Sequence, residues 1–322
     1  MITTLRFTPT WLVPFQLDSL TRIVGTALVA GLFVLAGCGD KTPKQASAKE
    51  TVPPESTVTP VQPAGEPAAV APTPVEPVTF AGADSAYQSK RYGDAVSGFT
   101  AYTRTKPSNP FGFYMLGLSA WKSGDLKTAE QAFRQSLALD STHVKSYLNL
   151  SRVQIESGQP DSALATIESV LKIDETSSEA YRLQGRAHDA RAESAAAVRS
   201  YHEALSLDPE DVWSMNNLGL SLIHQGAFDD ALRPLARAVE LEPGVATFQN
   251  NLGMALERTG HFSSAADAYR SAVSIDSTFN KASANLQRVQ SLKEDPNTPT
   301  LDLKVLAQQF EQQIRDWNEN EK

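Results

Sequence analysis

Five histidines, His143, His188, His202, His224 and His261, are the side chains best suited to acid–base or metal chemistry near neutral pH. Their spacing builds no site. His188-Asp189 and His202-Glu203 are neighbours in sequence, which on a helix point in different directions. No HExxH pair, phosphate-binding glycine loop or nucleophile elbow occurs. The expectation is therefore a non-enzymatic chain, with no catalytic residue, no metal and no cofactor. The polar side chains that do recur are amides. Asn149, Asn217, Asn251 and Asn285 share one phase of a 34-residue spacing, missed at Leu183. A primary amide offers both a donor and an acceptor, so such a row could pair with the main chain of an extended peptide. It could equally support local packing.

What positions these residues is the spacing itself. Alanine recurs at Ala95, Ala129, Ala163, Ala197, Ala231 and Ala265. Four residues after each comes a large side chain: Phe99, Phe133, Ile167, Tyr201, Leu235, Tyr269. Twelve before each stands a small one: Ala83, Gly117, Ser151, Gly185, Gly219, Gly253. Gly124, Gly158, Gly226 and Gly260 share a further phase, where the turn of a helical hairpin calls for a left-handed residue. Pro107, Pro209 and Pro243 fall between units. Small residues let two helices cross toward the near end of the 8–10 Å range. The bulky residue is expected to fill the space against the next hairpin, worth roughly 1.5–3 kcal/mol when fully buried. One hairpin leaves an apolar face bare, so the units must stack into a solenoid.

This combination resembles the tetratricopeptide repeat family, which couples a small residue at position 8, Ala at 20, an aromatic at 24 and Pro at 32. The resemblance implies an all-α fold, a right-handed superhelix of about six helix-turn-helix repeats. They span 76–109, 110–143, 144–177, 178–211, 212–245 and 246–279, with a capping helix over 280–294. Pro77 predicts a short first helix, and Ala192 stands where repeat four should carry its turn glycine. In the family, positions 2, 5, 6, 9, 12 and 13 of each first helix face a concave groove. Carried over, the peptide-binding residues are Phe111, Tyr114 and Trp121 of repeat two, then Asn149, Arg152, Arg182 and Arg186 of repeats three and four. Repeats five and six supply Trp213, Asn216, Asn217, Asn250 and Asn251, and the cap supplies Asn285. The amide row is similar to the peptide-holding groove of tetratricopeptide superhelices in protein glycosyltransferases. Aromatics and arginines favour a ligand with apolar anchors and acidic residues.

Ahead of the repeats, residues 23–36 are an apolar run following Arg22, and Gly37 and Cys38 follow it. Fourteen residues suit a signal-peptide core better than a membrane span, which takes about 20. Leu35-Ala36-Gly37-Cys38 resembles a bacterial lipobox, implying that 1–37 is removed and that Cys38, the only cysteine, is acylated with chains such as palmitate. Several acyl chains at about 0.8 kcal/mol per buried methylene hold a domain durably at a membrane. Gly39 rather than Asp follows Cys38, which favours the periplasmic face of the outer membrane in a diderm cell. Residues 38–75, rich in Pro and Ala, read as a disordered linker, and nine prolines fall within 39–78. At roughly 3.1 Å per residue such a tether reaches on the order of 100 Å. The net charge of −8 argues against a nucleic-acid partner, which needs a clustered basic face.

Asp295-Pro296 breaks the chain after the cap, and an amphipathic helix is expected over 301–319, with Leu303, Leu306, Phe310, Ile314 and Trp317 on one face. It is expected to pack on the cap or on a second copy, as a homo-oligomer contact, or else to lie in the groove as a displaceable pseudo-ligand. Together the sequence points to a membrane-anchored scaffold or adaptor in the bacterial cell envelope that binds envelope proteins or extended peptides. Pilot lipoproteins of type IV or Tad-type pilus assembly share this plan, as do cell-wall adaptors. A reading of another class is an accessory, substrate-recruiting subunit of an envelope protease, wall hydrolase or transferase.

Overall fold

The computed structural model describes residues 79–320. The signal-peptide, Cys38 and linker assignments lie outside the described residues. Helices pair in sequence: α1 (Phe80–Gln88) with α2 (Tyr92–Thr105), α3 (Pro110–Ser123) with α4 (Leu126–Leu139), and α5 (Val144–Glu156) with α6 (Pro160–Ile173). The series continues with α7 (Ser178–Ala190) and α8 (Ser194–Leu207), α9 (Val212–Gln225) and α10 (Phe228–Leu241), then α11 (Ala246–Arg258) and α12 (Phe262–Ile275). α13 (Asn280–Val289) and α14 (Leu303–Asn320) complete it, and no strand occurs among the described residues. The first helix, α1, is a short one of nine residues. No helix among the described residues is long and apolar enough to cross a membrane.

The 34-residue spacing marks contacts. All six recurrent alanines are completely buried. The bulky residue at position 24 does more than face the next unit, because it also lies over the small residue of its own hairpin. A Cβ placed on Gly117 would stand 2.6 Å from the Phe133 ring, so any side chain there would drive the pair apart. The same ring packs onward against Leu150 and Val153 of the next repeat. Each turn closes through one left-handed residue, including the two that are not glycine: Ala192 at φ 59° and Lys90 at φ 58°. Turn geometry is thus uniform, and repeats one and four adopt it with a side chain present.

Among the described residues, first helices of successive repeats touch one another, whereas second helices make no comparable contact. The first helices therefore line the inner, concave side and the second helices splay along the outer, convex side. The cap helix stops at Val289, short of the expected 294. Glu294 instead turns back, its carboxylate accepting from the Ser263 amide at the start of α12 (2.8 Å), and the His261 ring meets the Pro299 carbonyl (3.0 Å). This crossing delivers α14 to the convex side. There it packs on α10 and α8, burying Ala307, Phe310 and Ile314. The Trp317 ring stacks on His202 with centroids 4.0 Å apart, and Asn318 donates to the Ser206 carbonyl (3.2 Å). The expected seats on the cap and in the groove are replaced by this one. The helix's apolar face is consumed within its own chain, because Pro234, Leu218 and Leu222 line a seat that fits it.

Candidate functional site

The concave side carries three zones. At its N-terminal end Phe111 stacks between Phe80 and Tyr114, with centroid distances of 5.6 and 5.7 Å, and Tyr114 meets the His143 ring edge-on at 4.9 Å. Phe111 stays 49% exposed although large and apolar, which marks it as an available contact.

The central zone is a cavity of about 780 Å³ shaped by α3, α5, α7, α9 and α11. Trp121, Arg152, Arg182, Arg186, Trp213, Asn216, Asn217 and Asn251 all line it, joining residues up to 130 positions apart in the chain. Most of its charges are committed to neighbours. The Trp121 indole N–H donates to Glu156 (2.7 Å), while Lys122 and Arg152 lie against the same ring at 4.4 and 5.2 Å. Arg152 donates to Asn149 Oδ1 (2.7 Å) and pairs with Glu179. Arg182 donates to both oxygens of Asp211 (2.8 Å each), a buried carboxylate that also accepts from the Ser214 hydroxyl (2.7 Å). Arg186 differs. It makes no hydrogen bond or ion pair among the described residues, and burial pushes its guanidinium below the usual arginine range, partly offset by Glu156. Trp213 is 50% exposed, braced edge-on by Phe248 at 5.0 Å.

The C-terminal zone corrects the amide row. Bonds run between position 5 of one repeat and position 6 of the next, not along position 6 alone. Asn285 donates to Asn250 (3.0 Å), Asn250 to Asn251 (3.2 Å), Asn251 to Asn216 (2.9 Å) and Asn216 to Asn217 (3.3 Å). The amides meet one another first, each such bond contributing about 0.5–1.5 kcal/mol net. Asn250 also donates to the Met254 sulfur (3.5 Å), while the NH₂ groups of Asn216, Asn251 and Asn285 retain a second hydrogen for another acceptor. Asn149 stands outside this chain, donating to the Lys145 carbonyl (2.8 Å). Phe111, Tyr114, Asn149, Asn250 and Asn285 accordingly flank the cavity without lining it. Lys122 and Thr247 line it and were not singled out, although they occupy groove positions 13 and 2 of their repeats. Among the described residues no His, Cys, Asp and Glu side chains group as a metal site.

Two tetratricopeptide repeat models match the chain, one over 80–143, 182–244 and 217–278, the other over 120–187. The chain belongs to the tetratricopeptide repeat family. Tetratricopeptide folds are typically non-catalytic interaction modules that work through an extended concave surface. Among solved structures, a thermophilic tetratricopeptide protein from Thermus thermophilus is 17% identical, covers 57% of this chain and all of its own, and superposes with a TM-score of 0.51. MamA from Desulfovibrio magneticus RS-1 is 22% identical over 50% of this chain and 91% of its own, with a TM-score of 0.46. YrrB, described as a tetratricopeptide protein with an unusual peptide-binding site, is 18% identical over 59% and 97%, with a TM-score of 0.43. No curated protein matches the sequence.

Proposed function

We propose that this tetratricopeptide array is a scaffold that holds an extended segment of a partner protein in its concave groove. The observation that carries this reading is the central cavity. Trp121 and Trp213 wall it, Arg186 enters it without a hydrogen bond or ion pair among the described residues, and α14 is docked on the other side of the stack. Exposed tryptophan and arginine are the side-chain types that dominate protein interfaces. An extended segment can set an apolar residue on Trp213 and a carboxylate on Arg186 while its main chain accepts from the amides of Asn217 and Asn251. The finer reading rests on sequence. The apolar run 23–36 and the lipobox ending at Cys38 support an envelope lipoprotein, tethered by a proline-rich segment that carries the repeats away from the bilayer.

A photoreactive residue at position 217, used in cells and followed by mass spectrometry, tests the groove. One dominant envelope protein should be captured, and lost when Trp213→Ala and Arg186→Met are added. Capture unchanged by those substitutions would remove the groove as the working surface. For the anchor, Cys38→Ser should move the protein out of the membrane fraction; retention there would refute the lipobox.

A further inference from the structure

The convex side holds a second surface that the groove reading leaves unused. Between α4 and α6 runs an open furrow of about 500 Å³, floored by Leu150 and Gln154 and flanked by Arg134, Ser162, Ala165 and Thr166. Sixty-eight residues on, two repeat lengths, the same six positions are His202, Leu218, Leu222, Asp230, Arg233 and Pro234. Those six line the pocket in which α14 sits with Phe310 and Trp317. The molecule therefore displays what these positions hold when occupied. The occupant is an amphipathic helix whose Phe310, Ile314 and Trp317 face inward. Its Glu311 reaches Arg237 of α10 (3.6 Å), which is already paired with Glu240 (2.6 Å).

The open furrow repeats the chemistry. Arg134 takes the place of His202, the residue that stacks on Trp317. A guanidinium stacks on aromatic faces as an imidazole does. Arg134 is held by Glu130 of its own helix at 2.8 Å with over half of its side chain exposed, so its face is open to a ring, while the counterpart of Arg237 is the furrow's Ser169. Leu150, Leu137 and Tyr147 supply the apolar floor and wall. The furrow between α6 and α8 is of a different kind. Its floor positions are Gln184 and His188, which bond to Ser200 (3.0 Å) and Glu193 (2.8 Å), so it lacks the apolar Leu150 that the open furrow keeps beside Gln154, itself bonded to the Thr166 hydroxyl (2.8 Å).

We propose that the furrow between α4 and α6 docks an amphipathic helix of a partner protein. That helix carries an apolar row at i, i+4 and i+7 ending in an aromatic. The aromatic lies on Arg134. This surface faces away from the groove and serves a second contact, which makes the array a two-sided adaptor.

The probe is a fluorescein-labelled peptide of residues 303–320, whose apolar face already fits the equivalent seat, titrated into the full chain and followed by anisotropy. Saturable binding is expected. It should weaken at least tenfold in Ala165→Arg, which lays a long charged side chain across the furrow from an exposed helix position. Arg134→Ala should weaken it at least threefold, and Arg186→Met in the groove should leave it unchanged. Thermal melts of each variant establish that the fold is retained. Absence of saturable binding overturns the proposal, as does binding that survives Ala165→Arg, because the peptide has then replaced the chain's own α14. A dimer of the full chain that Ala165→Arg dissolves, seen by sedimentation, would assign the furrow to a second copy and overturn it equally. Capture from position 217 reads the opposite face, so the groove and the furrow fail separately.

Discussion

The groove centre and the α14 seat are built from the same repeats and solve opposite problems. The seat is apolar and filled by the chain's own helix, so its stability comes from area removed from water. Two large buried side chains, Phe310 and Ile314, at roughly 1.5–3 kcal/mol each dominate it. The groove is polar and open, and its walls are held by pairs that link successive first helices or their N-caps, Arg152 to Glu179, Arg182 to Asp211 and Trp121 to Glu156. Such pairs fix side chains in place more than they add stability, because desolvation offsets much of their attraction. An open surface can be rigid without being greasy. Among the described groove arginines, Arg186 is left out of the direct pairing, with only the nearby Glu156 charge to offset its burial.

The contrast breaks most visibly on the convex side. Phe310→Ala removes a fully buried ring, a change that costs about 3–5 kcal/mol in a packed core. Because α14 is terminal, it should detach before the repeats melt. Hydrogen exchange over 303–320 should then approach that of an unfolded peptide while exchange in α9 and α11 stays slow. If protection falls uniformly through the repeats, α14 is integral to the stack and the two faces are not independent.

Inside the groove, neighbouring arginines should respond in opposite ways. Arg182→Ala leaves the buried Asp211 with hydroxyl and amide partners but no cation, and should cost about 3 kcal/mol in chemical denaturation. Arg186→Met removes a charge that makes no hydrogen bond or ion pair among the described residues and should change stability by less than about 0.5 kcal/mol, while groove binding falls. Equal losses would mean that Arg186 is a structural residue. The asymmetry is the test.

These differences also show where the sequence is legible. The period gave the helical hairpins because its contacts are local and repeat: Ala231 and Gly219 mark crossing points that any unit must have. Groove positions followed from the same register, and eight of the chosen side chains do line one cavity. Pairing did not follow. Arg182 reaches Asp211, 29 residues away, because a long side chain spans the gap between adjacent first helices, and spacing alone does not encode such reach. The amide chain runs from position 6 to position 5 of the repeat before, a diagonal fixed by the tilt between repeats. The apolar face of α14 announced that it would be buried, but the crossing at Glu294 and His261 decided on which side.

A smaller effect sharpens the uniformity of the turns. Ala192 occupies the left-handed conformation that glycine takes in its neighbours, at a cost of about 1–2 kcal/mol for a residue with a Cβ. Ala192→Gly should recover part of this, about 0.5–1 kcal/mol after the extra freedom glycine gains in the unfolded chain. A melting temperature that falls instead would show that the Ala192 methyl packs in repeat four.

The smallest effect concerns the α14 seat and pH. Burial lowers the pKa of His202, which lies under Trp317 in a pocket shared with Asp230 and Arg233. The unfolded imidazole titrates near about 6.5, so above that pH both states are neutral and nothing is gained or lost. As pH falls below about 6.5 the unfolded chain takes up the proton first, and stability declines until the folded value is passed. The wild-type melting temperature should therefore drop between about pH 7.5 and 5.5 by more than that of His202→Phe, which keeps an aromatic partner for Trp317 and cannot titrate. Equal slopes would show that His202 does not carry the pH sensitivity. A steeper wild-type slope, accompanied by faster exchange in α14 alone, would tie proton uptake to release of the convex seat while the groove on the other face stays formed.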